Sequence, residues 1–366
     1  MQKPENTLVA VAMSGGVDSS VAALLLHRAG YRLVGLTMKL WSPPVDPCDE
    51  GEDKACCTAD SAMDAKRVCD QIGIPHFTLD MQEDFEERVI NPFYEAYRNG
   101  ETPNPCVNCN SFVKWDALWD RAQALGADYI ATGHYARTEN VDGHTFILRG
   151  DAAKDQSYFL WGVPAATLAR TLFPLGHLDK PSIRRLAQES GLRTASKPES
   201  QDICFVPKGN YRTFIDAYAA EKGETFTGGP VIGPDGNQVG SHDGLAHYTI
   251  GQRKGLGIAL GEPIYVARLD REKNAVILGR SQDLQITRFR ADRLNLFEEP
   301  WQTRECLVQF RYRSKQVPAR LEYLGNAEVS VTLLEPGFGV SPGQSAAFYD
   351  GDRLIGGARI RETGAA

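Results

Sequence analysis

The sequence predicts an α/β protein: a parallel sheet flanked by helices, followed by a small mixed α+β domain and a C-terminal antiparallel β-barrel. Three observations carry this. From Leu8 to Tyr135, apolar strand-like runs alternate with helical segments, the βαβα order that yields a parallel sheet covered on both faces. After Cys204 this order loosens into a Gly-rich, turn-rich stretch with short strands. From about Arg288 the apolar residues alternate in twos between turn signals such as "LGN", "EPG" and "YDGD". A chain of 366 residues is also too long for one ordinary domain. The economical division is 1–207, 208–287 and 288–366.

The elements follow in order. "TLVAVAM" (Thr7 to Met13) is an apolar strand, and "SVAALLLHRAG" is helical with Gly30 as its stop. "YRLVGLTM" reads as a strand. "TADSAMDAKRVCDQIG" reads as a helix opened by Thr58 and closed by Gly73, with "PHFTLD" and "DFEERVINPFYEAYRNG" after it. Beyond the stretch "TPNPCVNCN", "FVKWDALWDRAQALGA" is helical and "DYIATGHY" a strand. One short helix near "YRTFIDAYAAEKG" precedes the short strands "GGPVIGPDGNQVG", "EPIYVARLD" and "NAVILG". In "LVQFRYR", Val308, Phe310 and Tyr312 share one strand face and Gln309, Arg311 and Arg313 the other.

With 42% hydrophobic and 24% charged residues the chain has globular composition. It has no apolar run long enough for a membrane span and no room before the first strand for a signal peptide, which predicts a cytoplasmic protein without a membrane partner. In that reducing compartment eight cysteines suit core, metal or redox roles better than a disulfide framework. The net charge of −7 argues against coating of nucleic acid by bulk electrostatics and leaves room for a local basic track.

"AMSGGVDSS" joins the first strand to the first helix. Gly15 and Gly16 let backbone approach a phosphate, the helix that follows offers N–H groups, and Ser14, Ser19 and Ser20 add hydroxyl donors. There is no GK[ST] ending, so this is not a Walker A loop. Asp18 suits either a Mg²⁺ ligand or a loop brace. A serine-capped strand-to-helix turn would use the same residues; two glycines, three serines and an aspartate at the first such turn favour phosphate.

"SGGVDSS" resembles the signature of the pyrophosphatase-loop ATPases, which cleave ATP between the α and β phosphates and adenylate a carbonyl oxygen. The blocks "TPNPCVNCN", "ATGHY", "KDQSYFL", "SQDICF", "GQRKGLG", "RYR" and "SPGQSA", in this order over nearly the whole chain, are similar to the tRNA 2-thiouridylases among them. That resemblance implies an adenine nucleotide alpha hydrolase-like catalytic domain at 1–207, a tRNA-recognition domain at 208–287 and the barrel at 288–366. It implies ATP-dependent 2-thiolation of the wobble uridine in the tRNAs for lysine, glutamate and glutamine, with sulfur from a cysteine desulfurase or a relay protein. ATP, with Mg²⁺, would meet Ala12, Met13, Ser14, Gly15, Gly16, Val17, Asp18, Ser19, Met38 and Gly133. Without the family, Met38 reads as packing and Gly133 as a turn.

By the same resemblance Cys109 is the catalytic nucleophile and Cys204 the persulfide carrier, the pair ending as a disulfide to be reduced. Cysteines among prolines and asparagines do not sit on an apolar face, so packing does not explain Cys106 and Cys109. Where many members carry aspartate this chain has Cys106. With Cys109 and Cys204 it could ligate three irons of a [4Fe–4S] cluster, while the CxxC spacing equally suits zinc or a redox pair. Cys69, beside Val68 and Ile72, reads as core, Cys306 begins a strand, and Cys48, Cys56 and Cys57 sit in an acidic loop without histidine.

The tRNA contacts implied are Asn104, Pro105 and Cys106 at the target base, then His134, Lys154, Asp155, Gln156, Arg311, Tyr312 and Gln344. Arg253 and Lys254 in "GQRKGLG" suit the phosphate backbone, or an ordinary surface loop. Arg311, Tyr312 and Arg313 place cations on a strand face that could equally be solvated. Two rival functions use part of these features: a small-molecule adenylating synthetase of the same loop class, and a non-catalytic tRNA-binding protein.

Overall fold

The computed structural model of the protein describes residues 3–41, 59–150, 154–198, 203–206 and 210–365. By contact the chain divides into two compact units. One comprises Met1–Val89, Cys106–Gly209 and Asp352–Leu354, and the other Ile90–Pro105, Asn210–Gly351 and Ile355–Ala366.

The first unit is built on β1 (Leu8–Ala12), β2 (Arg32–Lys39), β3 (His76–Asp80), β4 (Tyr129–Ala131) and β7 (Thr171–Leu172), all parallel, in the order β3-β2-β1-β4-β7. β1 is the central strand: Val9 faces Leu33 on one side and Tyr129 on the other. A strand buried on both faces needs an unbroken apolar run, which is why "LVAVA" does not alternate. Helices α1 (Val17–Arg28) and α2 (Ala59–Ile72) supply Val21, Ala22, Ala65 and Val68 to the same core. Both end at glycines in the left-handed region, Gly30 (φ +85°) and Gly73 (φ +74°), as the sequence predicts. Thr58, Cys48, Cys56 and Cys57 lie outside the described residues.

Cys69 is fully buried, the core residue its pattern predicts, and burial pushes its thiol up to about 12. A Cβ at Gly35 would sit 2.5 Å from the Cys69 Sγ, so α2 packs this closely on β2 because the strand carries glycine there. The hairpin β5 (Ala136–Val141) and β6 (His144–Arg149) also belongs to this unit, with Arg353 and Leu354 paired to Leu148 and Ile147.

In the second unit, Ile90–Pro105, which the sequence division gives to the first domain, is held by aromatic packing. Tyr97 stacks on Tyr211 at 4.6 Å, Phe93 meets Phe214 at 5.9 Å, and Tyr218 donates to Asn91 Oδ1 at 2.8 Å. The short strands form one sheet in the order β10 (Tyr265–Asp270), β11 (Ala275–Gly279), β8 (Gly229–Ile232), β9 (Gln238–His242).

The barrel runs β12 (Gln285–Leu296), β15 (Glu328–Phe338), β14 (Val317–Gly325), β13 (Thr303–Gln309), β16 (Ser345–Asp350), β17 (Arg353–Ala365) and closes by pairing β12 with β17. Closure leaves none of these strands with an unpaired edge. Phe289, Val308, Phe310, Leu321, Val331, Phe348 and Ile360 fill its interior. Cys306 lies within β13 rather than at its start, and burial pushes its thiol up to about 12.

One expectation of the strand pattern fails here. β13 ends at Gln309, so Arg311, Tyr312 and Arg313 occupy the turn after it and present no strand face. Gln309, expected outward, is 3% exposed. Its amide donates to the carbonyls of Arg311 at 3.1 Å and Tyr312 at 2.6 Å, and so folds the turn.

Candidate active site and nucleic-acid interface

Strand order reverses at β1, with β2 on one side and β4 on the other, and ligands of such sheets sit in the crevice beyond the carboxyl ends of those strands. The glycine loop leaves β1 there. Gly15 is left-handed (φ +68°), and a Cβ on it would lie 2.1 Å from the Ser61 carbonyl oxygen at the start of α2. Gly16 caps α1 without any side-chain hydrogen bond, so the first-turn N–H groups face outward unblocked by a side-chain cap. Gly133, just after β4, sits where a Cβ would be 2.8 Å from Asp18 C and Ser19 N. Only glycine lets the β4 loop approach α1 this closely. Met38, half-buried, lies one residue before the end of β2.

The hydroxyls divide. Ser14 Oγ and Ser19 Oγ lie 3.2 Å apart, and Ser19 Oγ receives the Ser14 N–H. Ser19 Oγ also donates to the Gly16 carbonyl at 3.2 Å, and Ser20, fully buried, donates to the same oxygen at 2.8 Å and serves the helix. Met13 and Val17 turn their side chains into the core, so any contact they make with a ligand is through backbone.

Asp18 is the brace of the loop. Its Oδ1 accepts from Tyr135 Oη at 2.7 Å, and Lys180 Nζ donates to both oxygens at 2.8 and 3.0 Å. A carboxylate so engaged does not fit the role of Mg²⁺ ligand. Lys197, also unmarked by the sequence reading, donates to the Gly15 carbonyl at 3.0 Å and to Asp64 Oδ2 at 2.8 Å.

The cysteine stretch is not a loop ahead of a helix. The helix begins at Pro105, runs as an α-turn through Asn108, and widens to a π-helical stretch over Cys109–Ala117. Proline at the first helical position lacks only an N–H that has no partner there. Wide turns of this kind recur at functional sites. The helix buries Cys109 to 8% exposure and leaves Cys106 partly exposed, so Cys109 does lie on a packed face, contrary to the sequence expectation. Burial pushes the Cys109 thiol up, with Lys114 acting in the opposite sense.

Cys204 lies in a turn, partly exposed, followed by Phe205, which meets Phe85 edge-on at 5.6 Å. Among the described residues no three His, Cys, Asp or Glu side chains converge as a metal-binding group. The set Cys106, Cys109 and Cys204 therefore does not fit a preassembled cluster.

His134 follows Gly133. Its Nδ1 lies 2.7 Å from Thr132 Oγ1, and its ring sits 5.4 Å from Trp115. Burial, then Lys114, holds its pKa well below the usual 6.5. At neutral pH it is an uncharged imidazole able to hydrogen-bond or stack on RNA, and does not act as a phosphate cation. Because the folded value is depressed, the unfolded chain takes up a proton first. The resulting stability is complete above pH 6.5 and is lost as pH falls below it. The expected result is that the His134 ring signals in NMR stay those of the neutral form from pH 7.5 to 5.5, whereas a normal histidine titrates in that range.

Asp155 is buried and accepts from Arg149 Nε at 2.9 Å, Gly150 N and Ser157 N at 3.1 Å, and Ser157 Oγ at 3.0 Å. These bonds make it the organiser of its turn, not an RNA-facing group. Gln156 Oε1 accepts from Tyr135 N at 3.1 Å, which fixes the strand entering the crevice. Lys154 is partly exposed.

In the second unit, a cleft of about 620 Å³ is lined by Thr102, Arg212, Arg253, Lys254, Arg311 and Gln344, among others. The structure thus gathers the "GQRKGLG" loop, the "RYR" arginine and the "SPGQS" glutamine. It adds Arg212, whose guanidinium lies 5.3 Å over the Tyr248 ring. Arg311 donates to the carbonyls of Ile250 at 3.1 Å and Gly339 at 2.7 Å. Gly251 and Gly339, both at positive φ, would each put a Cβ 2.9 Å from its Nη2, so two glycines make the slot that holds it. Asn104 and Pro105 belong to this unit and Cys106 to the other.

Three family models cover the chain in succession: a tRNA methyl transferase HUP domain over residues 7–208, a tRNA methyl transferase PRC-barrel domain over 212–280, and an aminomethyltransferase beta-barrel domain over 286–360. Among similar proteins is a tRNA-specific 2-thiouridylase MnmA of Koribacter versatilis, 43% identical, spanning 98% of this chain and all of that one. Those of Halothermothrix orenii, 46% identical over 97% and 99% of the two chains, and Carboxydothermus hydrogenoformans, 45% identical over 97% of each, are alike in name and span. With identity at this level over nearly its full length, the chain belongs to the MnmA family of tRNA-specific 2-thiouridylases.

Proposed function

We infer that the protein is a tRNA-uridine 2-sulfurtransferase: it adenylates O2 of the wobble uridine with ATP and replaces that oxygen with sulfur, releasing AMP. The observation that carries this reading is the placement of the phosphate loop, Cys109 and Cys204 within one compact unit. Methyl transfer, which the names of the family models suggest, needs neither an SGGVDSS loop nor sulfur-carrying cysteines.

Binding comes first. The uncapped first turn of α1 and the Ser14–Ser19 hydroxyls receive the phosphates, with Met38 and Gly133 at the rim for the nucleoside. Asp18 is committed to Lys180 and Tyr135, so Mg²⁺ would come with ATP and would supply charge neutralisation of the phosphates. The uridine O2 attacks the α-phosphorus, the α–β bridging bond breaks, and pyrophosphate leaves with the electron pair. The terminal sulfur of a Cys204 persulfide then attacks C2 and the C2–O bond breaks to release AMP. Attack of Cys109 on Cys204 Sγ frees the sulfur as the C2 thiocarbonyl and leaves a Cys109–Cys204 disulfide for an external reductant.

The tRNA would meet Cys106, His134 and Lys154 in the first unit, and Asn104, Pro105, Arg311, Tyr312, Gln344 and the basic cleft around Arg253 in the second. An anticodon base is already outside a duplex, so its extrusion is inexpensive. Asp155 and Gln156 shape that surface from behind. The substrates are the lysine, glutamate and glutamine tRNAs, and a desulfurase or relay protein loads Cys204. Among the described residues no helix is long and apolar enough to cross a membrane, in keeping with work in the cytoplasm. The working division is 1–207 for catalysis, 208–287 for tRNA recognition and 288–366 for the barrel.

The test is in vitro thiolation with unmodified tRNA, ATP and a persulfide donor. The expected result is 2-thiouridine at the wobble position with one pyrophosphate and one AMP per thiolation. Pyrophosphate release driven by a small metabolite and indifferent to tRNA would overturn this reading in favour of a synthetase. Binding of tRNA without any ATP cleavage would reduce the protein to a carrier.

A further inference from the structure

Resting on that reading, we propose that Lys197 is the cation that meets the β and γ phosphates of ATP and takes up the charge of the departing pyrophosphate. The glycine loop has no lysine of its own, so hydroxyls and backbone N–H groups face a polyanion whose charge rises on one side as the α–β bond breaks. A lysine from elsewhere in the fold fills that gap.

Among the described residues two ammonium groups reach the loop, and they are not equivalent. Lys180 is spent on Asp18, with a hydrogen bond to each carboxylate oxygen, and its side chain is 11% exposed. Lys197 lies 3.0 Å from the Gly15 carbonyl, at the left-handed glycine of the phosphate loop itself, and its side chain is 23% exposed. Among the described residues two of its three N–H donors have protein partners, Gly15 O and Asp64 Oδ2, which leaves the third for a phosphate oxygen.

Its position is fixed from behind. Arg184 donates to the carbonyls of Ala195 at 2.8 Å and of Lys197 itself at 3.3 Å, so the backbone that bears the ammonium is tied to the helix Lys180–Glu189. Asp64 is shared with Arg67 at 3.4 Å, so the carboxylate does not depend on Lys197 alone for a counter-charge. An ammonium held beside the phosphate site needs no reorganisation at the moment of bond breaking.

The chemistry places the effect in one step. As uridine O2 bonds to the α-phosphorus, the bridging oxygen keeps the electron pair and becomes a terminal pyrophosphate oxygen. A cation there lowers that barrier and does nothing for the later sulfur steps.

The experiment compares wild type, Lys197→Met, Lys197→Arg and Asp64→Asn in single-turnover pyrophosphate release with tRNA, in ATP KM, and in inhibition by added pyrophosphate. Lys197→Met is expected to lower kcat about 100-fold and to weaken pyrophosphate inhibition, with thermal unfolding unchanged. Lys197→Arg, which keeps the charge, restores most of the rate. Asp64→Asn removes the anchor and keeps the ammonium, and is expected to stay within about fivefold of wild type.

If Lys197 merely pinned the loop to α2, Asp64→Asn and Lys197→Met would fall together and Lys197→Arg would not rescue, which would overturn the proposal. Lys197→Met within threefold of wild type would do the same. A wild type that releases no pyrophosphate with tRNA would instead sink the thiolation reading on which the proposal rests.

Discussion

Serine at Cys109 or at Cys204 is expected to lower thiolation of tRNA by about 10³-fold or more while single-turnover, tRNA-dependent pyrophosphate release stays within about threefold. Adenylation draws on the β1–α1 loop and no sulfur atom. The second half-reaction requires an atom that can hold sulfane sulfur and another that can open the resulting S–S bond, and a hydroxyl does neither at neutral pH. The two serine variants should also differ from each other. Without Cys204 no persulfide forms on the enzyme; without Cys109 the persulfide forms and stays, visible as one labelled sulfur per chain after loading. Burial keeps Cys109 a thiol at rest, so alkylation by iodoacetamide at pH 7 should fall on partly exposed cysteines ahead of it. Cys106→Ser separates the two sulfur routes left open by the CxxC. Because its thiol, Cys109 and Cys204 are not gathered into a ligand set, protein prepared without oxygen is expected to carry no iron and Cys106→Ser to keep most activity. About four irons and four sulfides per chain, lost on mutation of any of the three, would overturn the persulfide route in favour of a cluster.

How far the sequence speaks depends on the range over which each interaction acts. The parallel sheet was legible because a strand buried on both faces must be an apolar run, and the stops of α1 and α2 because Gly30 and Gly73 relieve left-handed backbone. Cys69 was legible from helical spacing. The glycine turn between β1 and α1 was legible because all its parts lie within nine consecutive residues. The two lysines that serve it were not: Lys180 is 162 residues from Asp18 and Lys197 is 182 from Gly15, and no local pattern marks either. Arg311 shows the same limit. Alternation put it on a strand face, yet a slot made by Gly251 and Gly339 and the amide of Gln309 put it in a turn. Two further features could have been read locally. Proline at 105 is a helix-start signal, which would have placed Cys106 and Cys109 on a helix. Asp155 two residues before Ser157 is the pattern of an aspartate that bonds the backbone ahead of it, which argues for a turn organiser over an RNA contact.

Alanine at Gly15 should separate backbone strain from collision at the nucleotide loop, and it should abolish ATP binding. The left-handed φ of +68° costs an alanine about 1 kcal/mol, as it does at any such site. Gly73 provides that baseline: its φ is +74° and a Cβ there meets nothing within 4 Å. At Gly15 the same Cβ would lie 2.1 Å from Ser61 O and 2.8 Å from Ser61 C, main-chain atoms at the start of α2 that no rotamer change can clear. Either the loop or the end of α2 must move, at a further cost of about 2 kcal/mol. Denaturant titration should therefore place Gly15→Ala about 3 kcal/mol below wild type and Gly73→Ala about 1 kcal/mol below it. The loop is the element with room to give, since it faces the crevice, and its retreat carries the phosphate-facing N–H groups with it. Calorimetric titration with ATP should then detect no binding to Gly15→Ala and wild-type affinity for Gly73→Ala. Equal stability losses with ATP binding retained in both would mean that the Gly15 loop adapts to the side chain, and that its contact with α2 does not set the phosphate site.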